Sequence, residues 1–415
     1  MIGIDIGSSF LTVARISPES GNPEAVKFKS KQGLSAKLPS VLVGIGDGFV
    51  IGHQAMERVE QYAALPPDER WQKMASVVPN ILELLTPDVK EYINGRDYTH
   101  AELLKSYFSL FIEDVKAACL GDDAIADYVV LTHPATIAHP KLEMMVEALH
   151  AQGVSRVKTL AKPFAAAKGY EMTHTVNEGE GLLVFNYGAV GADACYLKKQ
   201  KGKLTILAAP GANAHCGGND LDYLLYEHLH NYLLKSQHRD ISEAGLDLGI
   251  LQRCQQLKEL LGSSDDAVCE TDIPQAGCYR LSREAFNAII YPKVDEAVNV
   301  ARMVAGEVKE RKLNIDKVLL VGGSSRLPLV KTHLAESFPN TSIEMCCDDD
   351  TIVARGAIAQ YAVGPDSPFC HKPSIICPKC QSPLCYRYKE AIPGRGFVYH
   401  CMECEWEGPR VRVIF

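Results

Sequence analysis

Ile2, Ile4 and Ile6 alternate with smaller or polar positions, Gly7-Ser8-Ser9 interrupts the alternation, and Leu11, Val13 and Ala14 resume it. A period of two broken by a glycine-serine turn predicts a β-hairpin at the start of the chain. The shape returns near 183–197, where Leu-Val-Phe-Asn-Tyr precedes Gly188 and Ala-Asp-Ala-Cys-Tyr-Leu follows the turn. Asp5 and Asn186 hold the same place in the two copies, as do Gly7 and Gly188, 181 residues apart. This duplication predicts two similar lobes, each opening on a hairpin. Unbroken apolar runs at 128–134 (Tyr-Val-Val-Leu-Thr-His-Pro) and 317–322 predict parallel strands covered on both faces. Helical spacing follows from Asp220 to Leu234, with Leu221, Leu224, Leu225, Leu229 and Leu233 on one face. A longer helix is predicted over 284–311, through Phe286, Ile289, Ile290, Val294 and Val298. Pro328 suits a first helical turn. Strands alternating with helices make the fold α/β.

Length adds a soft prior: 415 residues allow two to three domains. With 47% apolar and 23% charged residues the chain is composed like an ordinary globular protein. No run approaches the ~18 apolar residues of a membrane span. An acid at position five and no basic leader predict no signal peptide, and so a cytoplasmic protein. A net charge of −8 argues against coating nucleic acid or an anionic membrane.

Cysteine changes the picture. Of 14, six (Cys370, Cys377, Cys380, Cys385, Cys401 and Cys404) fall in the last 51 residues. They follow Gly364-Pro365-Asp366-Ser367-Pro368, a linker by composition. Cys377-Pro-Lys-Cys380 and Cys401-Met-Glu-Cys404 are two C-x2-C pairs separated by 20 residues, the pattern of a four-thiolate Zn²⁺ site. A unit of about 45 residues has little core, so the metal would supply much of its folding free energy. The expectation is a structural zinc ribbon over 375–415, with Cys370, Cys385 and His400 as bystanders. Residues 365–415 carry seven basic and five acidic side chains, a net of +2, which favours docking to a protein over nucleic acid.

Three glycine-rich segments in the body carry candidate chemistry. Asp5-Ile-Gly7-Ser8-Ser9 has the makings of a phosphate clamp, with Asp5 placed to hold a hydrated Mg²⁺. Gly217-Gly218-Asn219-Asp220 opens a helix and either offers N–H groups to phosphate or is simply a capped helix start. Gly322-Gly323-Ser324-Ser325-Arg326 follows a buried strand and precedes a helix, a turn lined for a ligand such as a nucleotide.

In this order and spacing the pieces resemble the nucleotide-binding domain of the DnaK-type, seventy-kilodalton heat-shock chaperones, within the actin-like ATPase superfamily. The resemblance runs from residue 1 to about 363. It includes Leu38-Pro-Ser-Val-Leu, Ile51-Gly-His-Gln-Ala, Tyr98-Thr-His-Ala-Glu-Leu-Leu, Thr132-His-Pro-Ala135, Val321-Gly-Gly-Ser-Ser-Arg-Leu-Pro and Ala354-Arg-Gly-Ala357. It implies a two-lobed actin-like ATPase (duplicated ribonuclease-H-like) fold: lobe I over 1–182, lobe II over 183–363 with its final helix returning to lobe I, a linker at 364–374, then the ribbon. It also implies ATP or ADP and Mg²⁺ as ligands, held by Asp5, Gly7, Ser8, Ser9, Gly188, Gly217, Gly218, Gly322, Gly323, Ser324 and Arg326. Lys258 falls where a family lysine flanks the adenosine, and Asp350 precedes the final helix.

The sequence departs from the family at its catalytic positions. Lys162, in Lys-Pro-Phe-Ala-Ala-Ala, replaces a phosphate-side glutamate, and Asn186 replaces an aspartate of the second phosphate loop. Ala189 and Val190 stand where two glycines are expected, and no counterpart of the family's catalytic lysine is found in 52–97. Lost negative charge should lower turnover far more than binding, although Lys162 itself could contact phosphate and partly replace the metal. The zinc ribbon stands where the family carries its substrate-binding β-domain. The expectation is a nucleotide-binding protein with weak or absent ATPase activity and a ribbon for a protein partner. The alternatives are an active chaperone ATPase and a nucleotide-independent scaffold.

Overall fold

The computed structural model describes residues 1–17, 20–63, 65–86, 89–119, 128–241, 248–263, 268–273, 277–346 and 349–359, with three short strands in the tail. The chain divides into two compact units. Unit 1 holds Met1–Val184, Cys195–Pro210 and the segment from Asp349 onward; unit 2 holds Phe185–Ala194 and Gly211–Asp348.

Two sheets carry the framework. In the first, β1 (Ile2–Ile6), β2 (Phe10–Ile16), β3 (Pro23–Ala25), β4 (Lys37–Pro39), β5 (Tyr128–His133) and β6 (Arg156–Ala161) run in the order β6-β5-β1-β2-β3, with β4 also on β2. In the second, β7 (Gly181–Tyr187), β8 (Ala192–Gln200), β9 (Lys203–Ile206), β10 (Gly211–Asn213), β11 (Lys317–Val321) and β12 (Ser342–Met345) run β12-β11-β7-β8-β9, with β10 also on β8. The two orders are the same. The duplication read from Asp5 and Asn186 is therefore a duplication of whole sheets, each with a hairpin beside parallel strands.

Hydrophobic burial explains why these runs become strands. Ile2, Ile4 and Ile6 share one buried core cluster with Tyr107, Phe108 and Phe111 of helix α1 (His100–Ala118). That helix starts on a capping box: the Thr99 hydroxyl accepts the Glu102 N–H at 3.2 Å, and the Glu102 carboxylate accepts the Thr99 N–H at 2.8 Å. Helix α2 (Lys162–Glu171) leaves β6 directly. In unit 2, α3 (Gly218–Gln237) buries Leu221, Leu225, Leu229 and Leu233, with Leu224 half-buried. Helices α4 (Leu248–Ser263), α5 (Arg283–Glu310) and α6 (Pro328–Ser337) complete that unit's framework. Phe286, Ile290, Val294 and Val298 form the buried stripe of α5, and Pro328 sits in the first turn of α6.

Helix α7 (Ile352–Ala359) belongs to unit 1, where it lies against α2 at backbone distance. A Cβ on Gly356 would run into Ala165 O and Gly169 N, and one on Gly3 would run into Ala354 O. Glycine and alanine at these positions let two helices and a strand meet without side chains between them. The tail contributes a small sheet in which β13 (Leu384–Tyr386), β14 (Tyr399–Cys401) and β15 (Glu407–Gly408) pair antiparallel.

This packing generates a paired test. Gly356→Ala should destabilise the protein by about 1–3 kcal/mol, because the methyl must displace backbone atoms. Gly306→Ala, on an exposed part of α5 with nothing within 4 Å of the new methyl, should stabilise it by about 0.5–1 kcal/mol through helix propensity. Urea unfolding midpoints of the two variants should move in opposite directions.

Candidate functional site

In unit 1, three parallel strands end at one edge of the first sheet. Asp5 lies opposite Thr132 and His133 opposite Ala161, and open α/β sheets present ligand sites at the carboxyl ends of their strands. After Ile6 the chain turns through Gly7-Ser8-Ser9, closed by the Gly7 N–H donating to Phe10 O at 2.9 Å. Beside this turn the Asp5 carboxylate is already engaged. It accepts the Thr132 hydroxyl at 2.6 Å and lies 3.1 Å from the Lys162 ammonium. The same ammonium donates to Ile6 O at 2.6 Å. Lys162 is only 9% exposed and is the first residue of α2, whose first turn has no acid and whose N-cap, Ala161, supplies no side chain. A cation at a helix N-terminus opposes the helix dipole; Asp5 is the charge that answers it.

His133 sits next to this pair, buried, with Nδ1 2.8 Å from Pro134 O. Burial pulls its pKa down to about 4; the nearby Lys162 charge acts in the same direction and the hydrogen bond to Pro134 opposes both. The imidazole is therefore neutral at pH 7. Asp350, which precedes α7, is held by Lys37 at 2.6 Å, and the Lys37 ammonium lies 5.3 Å from the centre of the Phe10 ring.

In unit 2, segments far apart in sequence converge. Gly322 has φ +87°, a conformation that suits glycine, and a Cβ there would strike Tyr187 O and approach Asn186 Oδ1 at 2.7 Å. The Ser324 hydroxyl donates to Gly188 O at 2.9 Å. A Cβ on Gly218 would meet Ser324 Oγ at 2.7 Å and Lys258 Nζ at 3.2 Å. The second hairpin turn, the start of α3, Lys258 on α4 and the 322–326 turn thus form one cluster. Gly323 has open space around its Cα, and Arg326 closes the 3₁₀ turn over Gly323–Arg326.

Three donors at the start of α3 have partners within the protein. Gly217 N–H goes to Asp220 Oδ2 at 2.8 Å, Gly218 N–H to Gly188 O at 3.0 Å and Asn219 N–H to Ala189 O at 2.8 Å. These are the hydrogen bonds of a capped helix start, with the second hairpin turn supplying two of the acceptors. Lys258 Nζ donates to Gly218 O at 2.8 Å and to Asp222 Oδ2 at 2.9 Å. Burial pushes the Asp222 pKa up to about 6, against the opposing pull of Lys258. Asn186 donates its amide to Asp193 Oδ2 at 2.7 Å.

Sequence reasoning did not single out Thr132, His133, Asp193, Asp222 or Lys37. Their signal was present only in position: Thr132 and His133 end a buried run inside a segment quoted for its family likeness, Asp193 is a lone acid in an apolar strand, and Asp222 is an acid on the buried face of α3. The zinc reading falls largely outside the described residues. Cys377, Cys380 and Cys404 lie there, and Cys401 is described only as the last backbone position of β14. Among the described residues no cluster of three or more histidine, cysteine or acidic side chains is arranged to hold a metal.

Duplicated hairpin sheets, a glycine-rich turn beside each hairpin and a final helix packed on unit 1 together mark one family. Residues 69–367, well over half of the chain, match the family profile described as "Hsp70 protein". The chain belongs to the Hsp70 family, and its body is an Hsp70-type nucleotide-binding domain. It is similar to the "Chaperone protein HscA homolog" of Burkholderia mallei, 28% identical over 389 residues that cover 86% of this chain and 57% of that protein. It is also similar to a ribosome-associated molecular chaperone of Zygosaccharomyces rouxii, 26% identical over 385 residues that cover 87% of this chain and 61% of that protein. The chain therefore spans about three-fifths of the length of these relatives. No described helix is long and apolar enough to cross a membrane.

The neutral, buried His133 gives a pH test. An unfolded histidine protonates near 6.5, whereas folded His133 resists protonation down to about 4. As pH falls through that window the unfolded chain takes up the extra proton, so stability falls, by at most roughly 3 kcal/mol. Above about pH 6.5 the group has no further effect. His133→Gln should flatten the decline in melting temperature between pH 7 and pH 5.

Proposed function

We propose that this protein binds ATP or ADP through its Hsp70-type domain, hydrolyses ATP slowly or not at all, and contacts a protein partner through a C-terminal zinc ribbon. The observation that carries the reading is the Lys162–Asp5 pair at 3.1 Å. Phosphoryl transfer depends on positioning and on stabilising charge around the transferred group. Here the carboxylate beside the first phosphate loop is neutralised by an internal cation, and the corresponding position in the second loop is an amide. Binding groups survive these changes better than catalytic ones. Ser8, Ser9 and Gly7 keep the first turn. Gly188, Gly217, Gly218, Gly322, Gly323 and Ser324 keep the close backbone packing of the second half, with Lys258, Arg326 and Asp350 as further contacts for the nucleoside.

The ribbon reading draws support from register in the tail sheet. Leu384 lies opposite Cys401, so β13 begins beside the end of β14. The first C-x2-C pair ends at Cys380, shortly before β13, and the second begins at the last residue of β14. Strands β14 and β15 then pair across the segment that contains the second C-x2-C, with His400 opposite Glu407.

Two experiments test these proposals. Restoring Lys162→Glu, Asn186→Asp, Ala189→Gly and Val190→Gly together should raise single-turnover ATP hydrolysis at least tenfold, about 1.4 kcal/mol of barrier. The two new glycines should lower stability by roughly 0.5–1 kcal/mol each. Turnover by the unaltered protein at the rate of an ordinary family chaperone refutes the reading of Lys162 and Asn186. Separately, elemental analysis of protein purified without chelator should find one Zn²⁺ per chain. Cys401→Ser should abolish it while the main thermal transition is kept.

A further inference from the structure

The Hsp70 family implies Mg²⁺ beside the phosphates, and the donor set of unit 1 can be tested against that ion. Mg²⁺ takes one or two carboxylates in an octahedral shell of oxygens and keeps several waters. Asp5 is the acid at the end of β1 next to the phosphate turn, and its Oδ1 already accepts the Thr132 hydroxyl and faces the Lys162 ammonium. A divalent cation on that oxygen would have to share it with an ammonium whose nitrogen already lies 3.1 Å from the same atom. Two cations gathered on one carboxylate oxygen repel in a part-buried setting. The residues present do not suit Mg²⁺ at this position.

They suit a cation built into the chain. An ammonium has three N–H donors. Lys162 spends one on Ile6 O and directs one at Asp5, which leaves a third. Ile6 is the residue immediately before Gly7-Ser8-Ser9, so the ammonium is fixed at the base of that turn. The start of α2, without cap or acid, adds positive potential at the same place. Neutral His133 adds no competing charge. With the Lys162 charge already paired by Asp5, what the place offers a phosphate group is the remaining ammonium N–H and the positive end of the α2 dipole.

We propose that Lys162 replaces the divalent cation: its ammonium, anchored by Asp5 and Ile6 O, is the counter-charge for bound nucleotide phosphate, and nucleotide binding does not require Mg²⁺. This rests on the nucleotide-binding reading above. The test is calorimetric titration of the full chain with ADP and with ATP, in buffer freed of divalent ions by chelating resin and in the same buffer with added Mg²⁺. A resin-treated buffer is used because dissolved chelator would also strip Zn²⁺ from the tail. For the unaltered protein the two affinities should agree within about threefold. Lys162→Gln should weaken metal-free binding at least tenfold, about 1.4 kcal/mol, and added Mg²⁺ should restore part of it.

Tenfold or tighter binding by the unaltered protein only when Mg²⁺ is present overturns the inference and leaves the nucleotide reading standing. Metal-free binding by a folded Lys162→Gln variant equal to that of the unaltered protein overturns it too. No binding in either buffer overturns the nucleotide reading and the inference together. The comparison of buffers needs no variant, so it decides the matter even if the Lys162→Gln protein fails to fold.

Discussion

Unit 1 depends on a contact between bare backbones. Gly356 on α7 and Gly169 on α2 let the two helices approach until a single methyl would strike a carbonyl oxygen, and Gly3 brings β1 equally close to α7. Little in this contact can repack, because backbone meets backbone and only Ile352 and Ile358 reach in beside it. The first residue of α2 is therefore fixed relative to the end of β1. That constraint holds the Lys162 ammonium within hydrogen-bond reach of Ile6 O and beside Asp5, a placement a flexible side chain would not keep on the surface.

The two units answer the same problem with different electrostatics. In unit 1 a carboxylate is balanced by a full positive charge, and in unit 2 the matching hairpin position is an uncharged amide that donates to Asp193. Farther into unit 2, Lys258 and Asp222 form a second buried pair at the start of α3. Burial makes each of these pairs expensive to break and of modest net worth to stability, since desolvation offsets much of the attraction. Their value is in fixing where charge sits.

Much of the framework was legible in the sequence because it is local. The alternation of Ile2, Ile4 and Ile6, the apolar run at 318–321 and the leucine stripe of α3 state their own structure. Even the duplication of sheets was visible from two short hairpins. What was hidden is partnership across distance. Thr132 and Lys162 reach Asp5 from parallel strands and a helix more than 120 residues away, and Lys37 finds Asp350 across most of the chain. No spacing rule encodes such pairs; they follow from strand order. The glycines at 217 and 218 show the opposite limit. Sequence alone leaves open whether such amides serve a ligand or the protein's own carbonyls, and the carbonyls that reach Gly218 and Asn219 come from the second hairpin turn.

The amides of Gly218 and Asn219 have a consequence for how motion would be seen. Both are bonded to carbonyls of the second hairpin turn, and Ser324 is tied to one of the same carbonyls. Their protons cannot meet solvent until that turn moves off the helix. Deuterium uptake at these two positions is thus a clock for the parting of that turn from α3 within unit 2. It runs on the protein's own backbone and needs neither a bound ligand nor a chemical label to be read.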